Sequence, residues 1–171
     1  YGFDEFAEMT EFKAKLPFGQ MPALEIDGQF IGQTDTIMRL SAKLADLYPS
    51  DPIAAAKSDM IVVHQAEIHS SIAKMSFDGV PGAPGTKMFP EAERDKRIAE
   101  WSETKLPEML ERLENLANER TMVGTEISWA DVCVFNRLNQ LNDKNLFAFD
   151  GSFRKLDRVH ESIGQLAPIK E

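Results

Sequence analysis

Two short stretches carry residue types whose order can do chemistry. In LPFGQMPALEIDG, residues 16–28, Pro22 stands directly before an apolar run and Asp27-Gly28 turns the chain back. Proline has no N–H to give to a ladder, so it belongs at the entrance of a strand. Ala23 to Ile26 then read as a strand, Asp27-Gly28 as a two-residue hairpin turn, and Gln29 to Gly32 as the return strand. Backbone groups at the mouth of such a hairpin are open to a partner outside the sheet. In IGQTDTIMRL, residues 31–40, Thr34 precedes Ile37, Met38, Leu40, Leu44 and Leu47, which repeat at helical spacing. Thr34 is read as the cap of that helix, and Asp35 adds negative charge to its first turn, where the macrodipole favours it. A helix start with orphan N–H groups and a hydroxyl is also a ready anion site.

Other residues of reactive type fall into weaker patterns. His64 and His69 are five apart, so on a helix they project from different sides and make a poor metal pair. Cys133 is the single cysteine, in an apolar helical stretch, and reads as a small core residue. With one cysteine there is neither an intramolecular disulfide nor a Cys-x-x-Cys redox pair. The glycines of residues 79–85 alternate with prolines and lack a Gly-Lys-Ser/Thr ending, so they form no P-loop. Trp101 and Trp129 read as packing residues.

Positioning such groups takes a folded scaffold, and the composition supplies one. The chain has 171 residues, 43% of them hydrophobic and 27% charged, an ordinary globular balance with room for one domain or two small ones. The net charge of −9 and the absence of a basic stripe argue against a nucleic-acid surface. No apolar run approaches the roughly 18 residues a membrane-spanning helix needs. The sequence opens on Tyr1 without a recognisable signal peptide, and it is read as an internal piece of a longer protein.

Along the chain, Tyr1 to Phe6 read as a short strand and Glu8 to Lys15 as a short polar helix or turn, followed by the hairpin and its helix. Pro49-Ser50-Asp51-Pro52 is the clearest boundary. Beyond it nearly every periodic segment is helical. Ile53 to about Phe77 sets Met60, Ile61, His64, Ile68, Ile72 and Met75 along one side. Residues 78–86 form a loop by composition. Helix returns from about Pro90 to Asn118, with a kink or break at Pro107. Ser128-Trp129-Ala130-Asp131 has the form of a capping box opening a helix whose inner face is Val132, Cys133, Phe135, Leu138 and Leu141. A last helix covers about Ser152 to Ile163.

Four features together carry a family resemblance. They are LPFGQMPALEIDG, IGQTDTIMRL, the proline-linked switch to helices, and MVGTEISWADV at residues 122–132. In their order and separations the chain resembles the glutathione transferase family. The likeness is strongest to its sigma-like branch, which includes haematopoietic-type prostaglandin D synthases. The resemblance implies an α/β plus all-α fold. A partial thioredoxin-like domain would occupy residues 1–48, a linker 49–52, and an all-helical C-terminal domain 53–171. It implies that the chain begins at the second strand of the thioredoxin-like domain and stops before the family's last helix. Tyr1 is then a second-strand residue, and the hydroxyl that activates the thiol lies upstream, so no catalytic residue falls within these 171 positions.

The resemblance further implies a cis bond before Pro22, with Met21 pairing through its N–H and C=O with the cysteinyl backbone of glutathione. Gln20 then lies beside the peptide. Gln33 and Thr34 take the γ-glutamyl carboxylate, and Lys13 the glycyl carboxylate. Glu67 takes the place of an aspartate that reaches across a homodimer to the ligand's amine. Met9 stands where this branch commonly has a tryptophan, and it lacks the indole N–H that helps bind the glycyl end. The function implied is a detoxification-type transferase in the cytoplasm, conjugating the glutathione thiolate to apolar electrophiles. Glutathione is its co-substrate, and no metal, nucleic acid or membrane span is involved. The alternative is a transferase-like, non-catalytic binding or assembly subunit of a larger complex. A thioredoxin-like oxidoreductase is a third reading, disfavoured by the missing Cys-x-x-Cys.

Overall fold

The computed structural model describes residues 6–79 and 85–166, with side chains from Thr10 onward. The chain divides into two compact units, Tyr1–Tyr48 and Pro49–Glu171. The first contains α1 (Phe6–Ala14), β1 (Ala23–Ile26), β2 (Gln29–Gly32) and α2 (Thr34–Leu44). The second contains α3 (Pro52–Ser76), α4 (Glu91–Thr104), α5 (Leu106–Leu116), α6 (Trp129–Asp143) and α7 (Arg154–Gly164). This is a thioredoxin-like piece followed by a helical domain.

In the first unit the two strands pair antiparallel, with Ala23 opposite Gly32 and Ile26 opposite Gln29. Asp27 and Gly28 turn between them at φ 49° and 77°. Positive φ at both positions is the turn whose twist matches that of the strands, which is why Asp-Gly serves there. Phe12 of α1 meets Phe30 of β2 edge to face, with ring centroids 6.2 Å apart. Gly32 lets Phe18 lie against the strand, since a Cβ there would stand 3.2 Å from the Phe18 ring. Helix α2 ends in a Schellman arrangement: Asp46 takes φ 55° and the Leu47 N–H donates to the Ala42 carbonyl at 2.8 Å.

Sequence and structure differ here in four places. Leu47, expected on the stripe of α2, lies beyond the end of that helix at Leu44. Phe6 is helical, not the end of a strand, while residues 1–5 of that expected strand lie outside the described residues. Leu44, although in phase with the apolar face of α2, is 73% exposed. Thr34 is the first residue of α2 and not its cap, because Gln33 occupies the cap position.

In the second unit Asp51 caps α3, its carboxylate accepting from the N–H groups of Ile53 and Ala54 at 3.1 and 2.8 Å, with Pro52 at the first helical position. The buried stripe of α3 is Ser58, Ile61, Val62, Gln65 and Ile68. Met60, expected on that side, is exposed. Beyond α3 an isolated antiparallel bridge joins Phe77 to Met88, and residues 80–84 of the loop expected over 78–86 lie outside the described residues. Helices α4 and α5 part at Lys105, and Pro107 falls in the first turn of α5, where its missing N–H costs nothing.

Helix α6 packs on both α3 and α7 and forms the centre of the core. Its Ala130, Val134, Leu138 and Leu141 are fully buried, as are Leu156, Val159 and Ile163 of α7. Val132 and Phe135, expected on the inner face, are half-buried, and Val134 and Arg137 take the inner positions. The capping box is present. Asp131 accepts from the Ser128 N–H at 2.8 Å, from the Ser128 hydroxyl at 2.7 Å, and from the Met122 N–H at 2.5 Å. The first turn of α7 is instead served from another helix, Glu114 of α5 accepting from the N–H groups of Lys155 and Leu156.

Candidate functional site

The pairing of Ala23 with Gly32 fixes what stands at the open end of the hairpin. Pro22 precedes Ala23, and Gln33 follows Gly32, so Met21-Pro22 and Gln33-Thr34 are neighbours across the same end. The Met21–Pro22 bond is cis, as the resemblance implies. Among the described residues neither the N–H nor the C=O of Met21 enters a backbone hydrogen bond, and the residue is 49% exposed. Both groups are available to a strand-like partner.

Across from it, the first hydrogen bond of α2 runs from the Ile37 N–H to the Gln33 carbonyl at 3.0 Å. The N–H groups of Thr34, Asp35 and Thr36 therefore have no acceptor within the helix, and the positive end of the macrodipole faces outward there. Gln33 reaches this position with φ 71° and ψ 120°, and its side chain makes no capping bond. A non-glycine residue held in this region costs on the order of 1–3 kcal/mol, and such positions cluster at functional sites. Gln20, Met21, Pro22, Gln33 and Thr34 are all exposed. One hairpin end thus joins an unpaired backbone edge, a free amide side chain and an anion-ready helix start.

The remaining candidates lie on other elements, α1 and α3. Lys13 is half-buried in the last turn of α1, and its carbonyl accepts from the Leu16 N–H at 3.1 Å. Gly19 turns the chain back beside that carbonyl with φ 61°, leading directly into Gln20. Glu67 lies exposed on α3 in the other unit, 3.4 Å from Nδ1 of His64. Met9 lies in α1, in the part whose side chains are outside the description. Two of the reactive residues set aside from the sequence are engaged within the helical domain. Cys133 is buried, and the His64 ring contacts the Met109 carbonyl at 3.1 Å, tying α3 to α5. Sequence reasoning missed Arg137, an arginine on the core face of α6 bonded to Gln65, His69 and Gln140. The available signal was its phase, four residues after Cys133 and four before Leu141 on one helical stripe.

Comparison with known proteins bears on the whole arrangement. The model of the family described as "Glutathione S-transferase, C-terminal domain" matches residues 84–171, just over half of the chain. Glutathione S-transferase S1 of Drosophila melanogaster is 26% identical over 169 residues, covering 95% of this chain and 62% of that protein. Hematopoietic prostaglandin D synthase of Gallus gallus is 29% identical over 133 residues, covering 74% of this chain and 58% of that protein. Among solved structures, prostaglandin synthase D of Nilaparvata lugens superposes with a TM-score of 0.77 at 20% identity, covering 99% of this chain and 81% of that one. That last likeness speaks for the fold. The chain spans about three fifths of the length of these curated relatives. With the domain model matched over residues 84–171 and the fold shared throughout, the chain belongs to the glutathione S-transferase family.

Proposed function

We propose that the full-length protein is a glutathione transferase that conjugates the glutathione thiolate to apolar electrophiles. The observation that carries this reading is the strand register, which sets the unpaired Met21 backbone beside the unsatisfied start of α2. Glutathione is an extended peptide with a carboxylate at each end and an amine at one. Its cysteinyl backbone pairs with the N–H and C=O of Met21, with Pro22 shaping that edge and Gln20 running alongside. Its γ-glutamyl carboxylate lies on the first turn of α2, held by the Gln33 amide, the Thr34 hydroxyl and the free N–H groups. Lys13 holds the glycyl carboxylate. Glu67 of a second copy reaches the amine in a homodimer. The sulfur is then aimed at one point, and orientation supplies a large part of the rate gain.

A hydroxyl carried N-terminal to Tyr1 donates a hydrogen bond to the sulfur, which favours the thiolate and lowers the thiol pKa. In this reading residues 1–48 are the glutathione-binding domain, 49–52 the linker and 53–171 the helical domain, in a cytoplasmic protein that uses no metal. Relatives named glutathione S-transferase support it, and no helix among the described residues is long and apolar enough to cross a membrane.

The test is calorimetric titration of the full-length protein with glutathione, followed by a conjugation assay with a generic aryl halide. Gln33→Ala and Thr34→Ala should each weaken binding by about 1–3 kcal/mol, the scale of a hydrogen bond to a charged group. Wild-type affinity in both variants overturns the site. Tight glutathione binding without conjugation overturns the catalytic part alone.

A further inference from the structure

We propose that Met88 is a site of reversible oxidation by hydroperoxides, and that Arg94 receives the sulfoxide oxygen, fastening the connector between α3 and α4 to α4. Met88 is 56% exposed, the most open of the methionines whose side chains are described. The backbone around it is held in place. Met88 faces Phe77 in an antiparallel bridge, and the Phe89 N–H donates to the Ser76 carbonyl at 3.0 Å. On the other side of the bridge the Asp78 N–H donates to the Lys87 carbonyl at 3.0 Å, and the Lys87 N–H to the Asp78 carboxylate at 2.6 Å.

What surrounds the sulfur decides what oxidation does there. Nη1 of Arg94, in the first turn of α4, donates to Sδ of Met88 at 3.0 Å. A thioether is a weak acceptor. Among the described residues no other acceptor meets the Arg94 side chain, and its buried Nε has none. This half-buried guanidinium is therefore rich in donors and poor in acceptors, an arrangement that costs free energy until an oxygen is supplied. Arg97, three residues on, is engaged elsewhere, 4.4 Å from the centre of the Phe89 ring and 4.0 Å from the Glu93 carboxylate. It holds Phe89 and leaves Arg94 as the cation facing the sulfur. Met21 and Met60, each 49% exposed, have no such donor against their sulfurs among the described residues.

In the reaction a sulfur lone pair attacks the hydroxyl oxygen of the hydroperoxide. The S–O bond forms as the O–O bond breaks, and the proton on the transferred oxygen passes to the leaving one. The products are a sulfoxide and water, or a sulfoxide and an alcohol from an organic hydroperoxide. Sulfur loses two electrons and the peroxide gains them. The sulfoxide oxygen is polar and accepts where the thioether hardly could. Rotation of the unbranched side chain brings it to the Arg94 donors, and a hydrogen bond from a cation is the stronger kind. Oxidation at Met88 thus tightens a contact, whereas at Met122, 2% exposed, it disrupts packing. A sulfoxide reductase reverses the step, its dithiol becoming a disulfide as the oxygen leaves in water. The site lies wholly within the helical unit and does not rest on the glutathione reading.

The experiment treats the full-length protein with hydrogen peroxide, locates the added oxygen by peptide mass spectrometry, and follows amide hydrogen exchange before and after. Met88 should gain oxygen no later than Met21 and Met60. Exchange at Asp78 and Phe89, whose N–H groups close the connector, should then slow about threefold to tenfold, the scale of gaining a charge-assisted hydrogen bond. Arg94→Ala and Met88→Leu should each abolish the slowing. Met88→Gln places an amide oxygen near the position of the sulfoxide oxygen and should show slowed exchange without peroxide. Thermal melts check folding, and if Arg94→Ala does not fold, the two Met88 variants decide. An unmodified Met88 in protein whose Met21 and Met60 are converted overturns the proposal. So does exchange that is unchanged or faster after oxidation, slowing that persists in Arg94→Ala or Met88→Leu, or a Met88→Gln variant that exchanges like the wild type.

Discussion

Removing the carboxylate of Asp131 tests how the helical unit is held. Asp131 is fully buried and accepts three hydrogen bonds, two from backbone N–H groups and one from a hydroxyl. It both starts α6 and ties the Met122 segment to it. Asp131→Ala leaves the N–H groups of Met122 and Ser128 buried without acceptors, at about 1–3 kcal/mol each. The loss of the cap, about 0.5–2 kcal/mol, overlaps with the Ser128 part. One contribution runs the other way. Burial pushes the Asp131 carboxyl above its usual range, against the opposing effect of its donors, so the ionised group is held at some cost that alanine removes. The expected net loss is about 2–4 kcal/mol, a large share of the roughly 5–15 kcal/mol a domain has. Asp131→Asn keeps one oxygen but turns an NH2 toward donors, and should lose most of the same amount. Ser128→Ala removes the hydroxyl alone and should cost about 1 kcal/mol. Urea unfolding of the three variants supplies the order. The raised pKa adds a sign: the folded state keeps its proton to higher pH than the unfolded chain, so this group's contribution falls as pH rises through that window. Asp131→Asn should abolish that slope. An asparagine variant as stable as wild type, or Ser128→Ala as damaging as Asp131→Ala, refutes the reasoning.

Three further outcomes follow from the same contacts. Gln33→Gly should raise the urea midpoint, because relief of a strained φ of 71° exceeds the extra chain entropy of glycine by about 0.5–1 kcal/mol; a lower midpoint shows that no strain was stored there. His160 stacks on Phe135 at 4.6 Å and on Phe149 at 4.1 Å, and burial lowers its pKa, against the opposing pull of Glu161. The unfolded chain then binds the proton first, so the stability this ring contributes is complete above about pH 6.5 and declines as pH falls below it; urea midpoints across pH 7.5 to 5.5 should show a slope that His160→Gln reduces. Leu138→Ala, at a fully buried position on α6, should cost about 2–5 kcal/mol by cavity formation, whereas Leu44→Ala, at a position 73% exposed, should cost under about 1 kcal/mol. Equal losses in those two variants contradict the packing described.

Much of the fold was legible because its signals are local. Asp27-Gly28 demands positive φ at both residues, and nothing beyond the flanking strands is needed to satisfy it. Ser128 and Asp131 bond to each other within one turn, and Pro107, which has no N–H, suits the first turn of a new helix. Local signals fail where the neighbour decides. Met60 and Leu44 keep the helical period, but period records only which side chains are in phase and not what covers them. The start of α2 was displaced by one residue because Gln33 takes a backbone conformation that its side chain gives no reason to expect. Phe6 joined a helix where weak alternation suggested a strand, since five or six residues of alternation fit a helical turn nearly as well.

The candidate sites divide along the same line. The hairpin end was legible from residues 21–34 because antiparallel pairing over a two-residue turn leaves one register available, and that register alone makes Pro22 and Gln33 neighbours. The surroundings of Arg137 have no such local generator: Gln65 and Arg137 meet across 72 residues, through the packing of α3 on α6. Only the misfit was visible, a cation in phase with an apolar stripe. Such a misfit is informative because sequence choices that agree at every level build a stable core, whereas a choice that disagrees has to be held in place by something other than stability. In α6 the disagreeing residue has three polar side chains, Gln65, His69 and Gln140, arranged around it. An arginine retained merely as filler calls for no such set of partners.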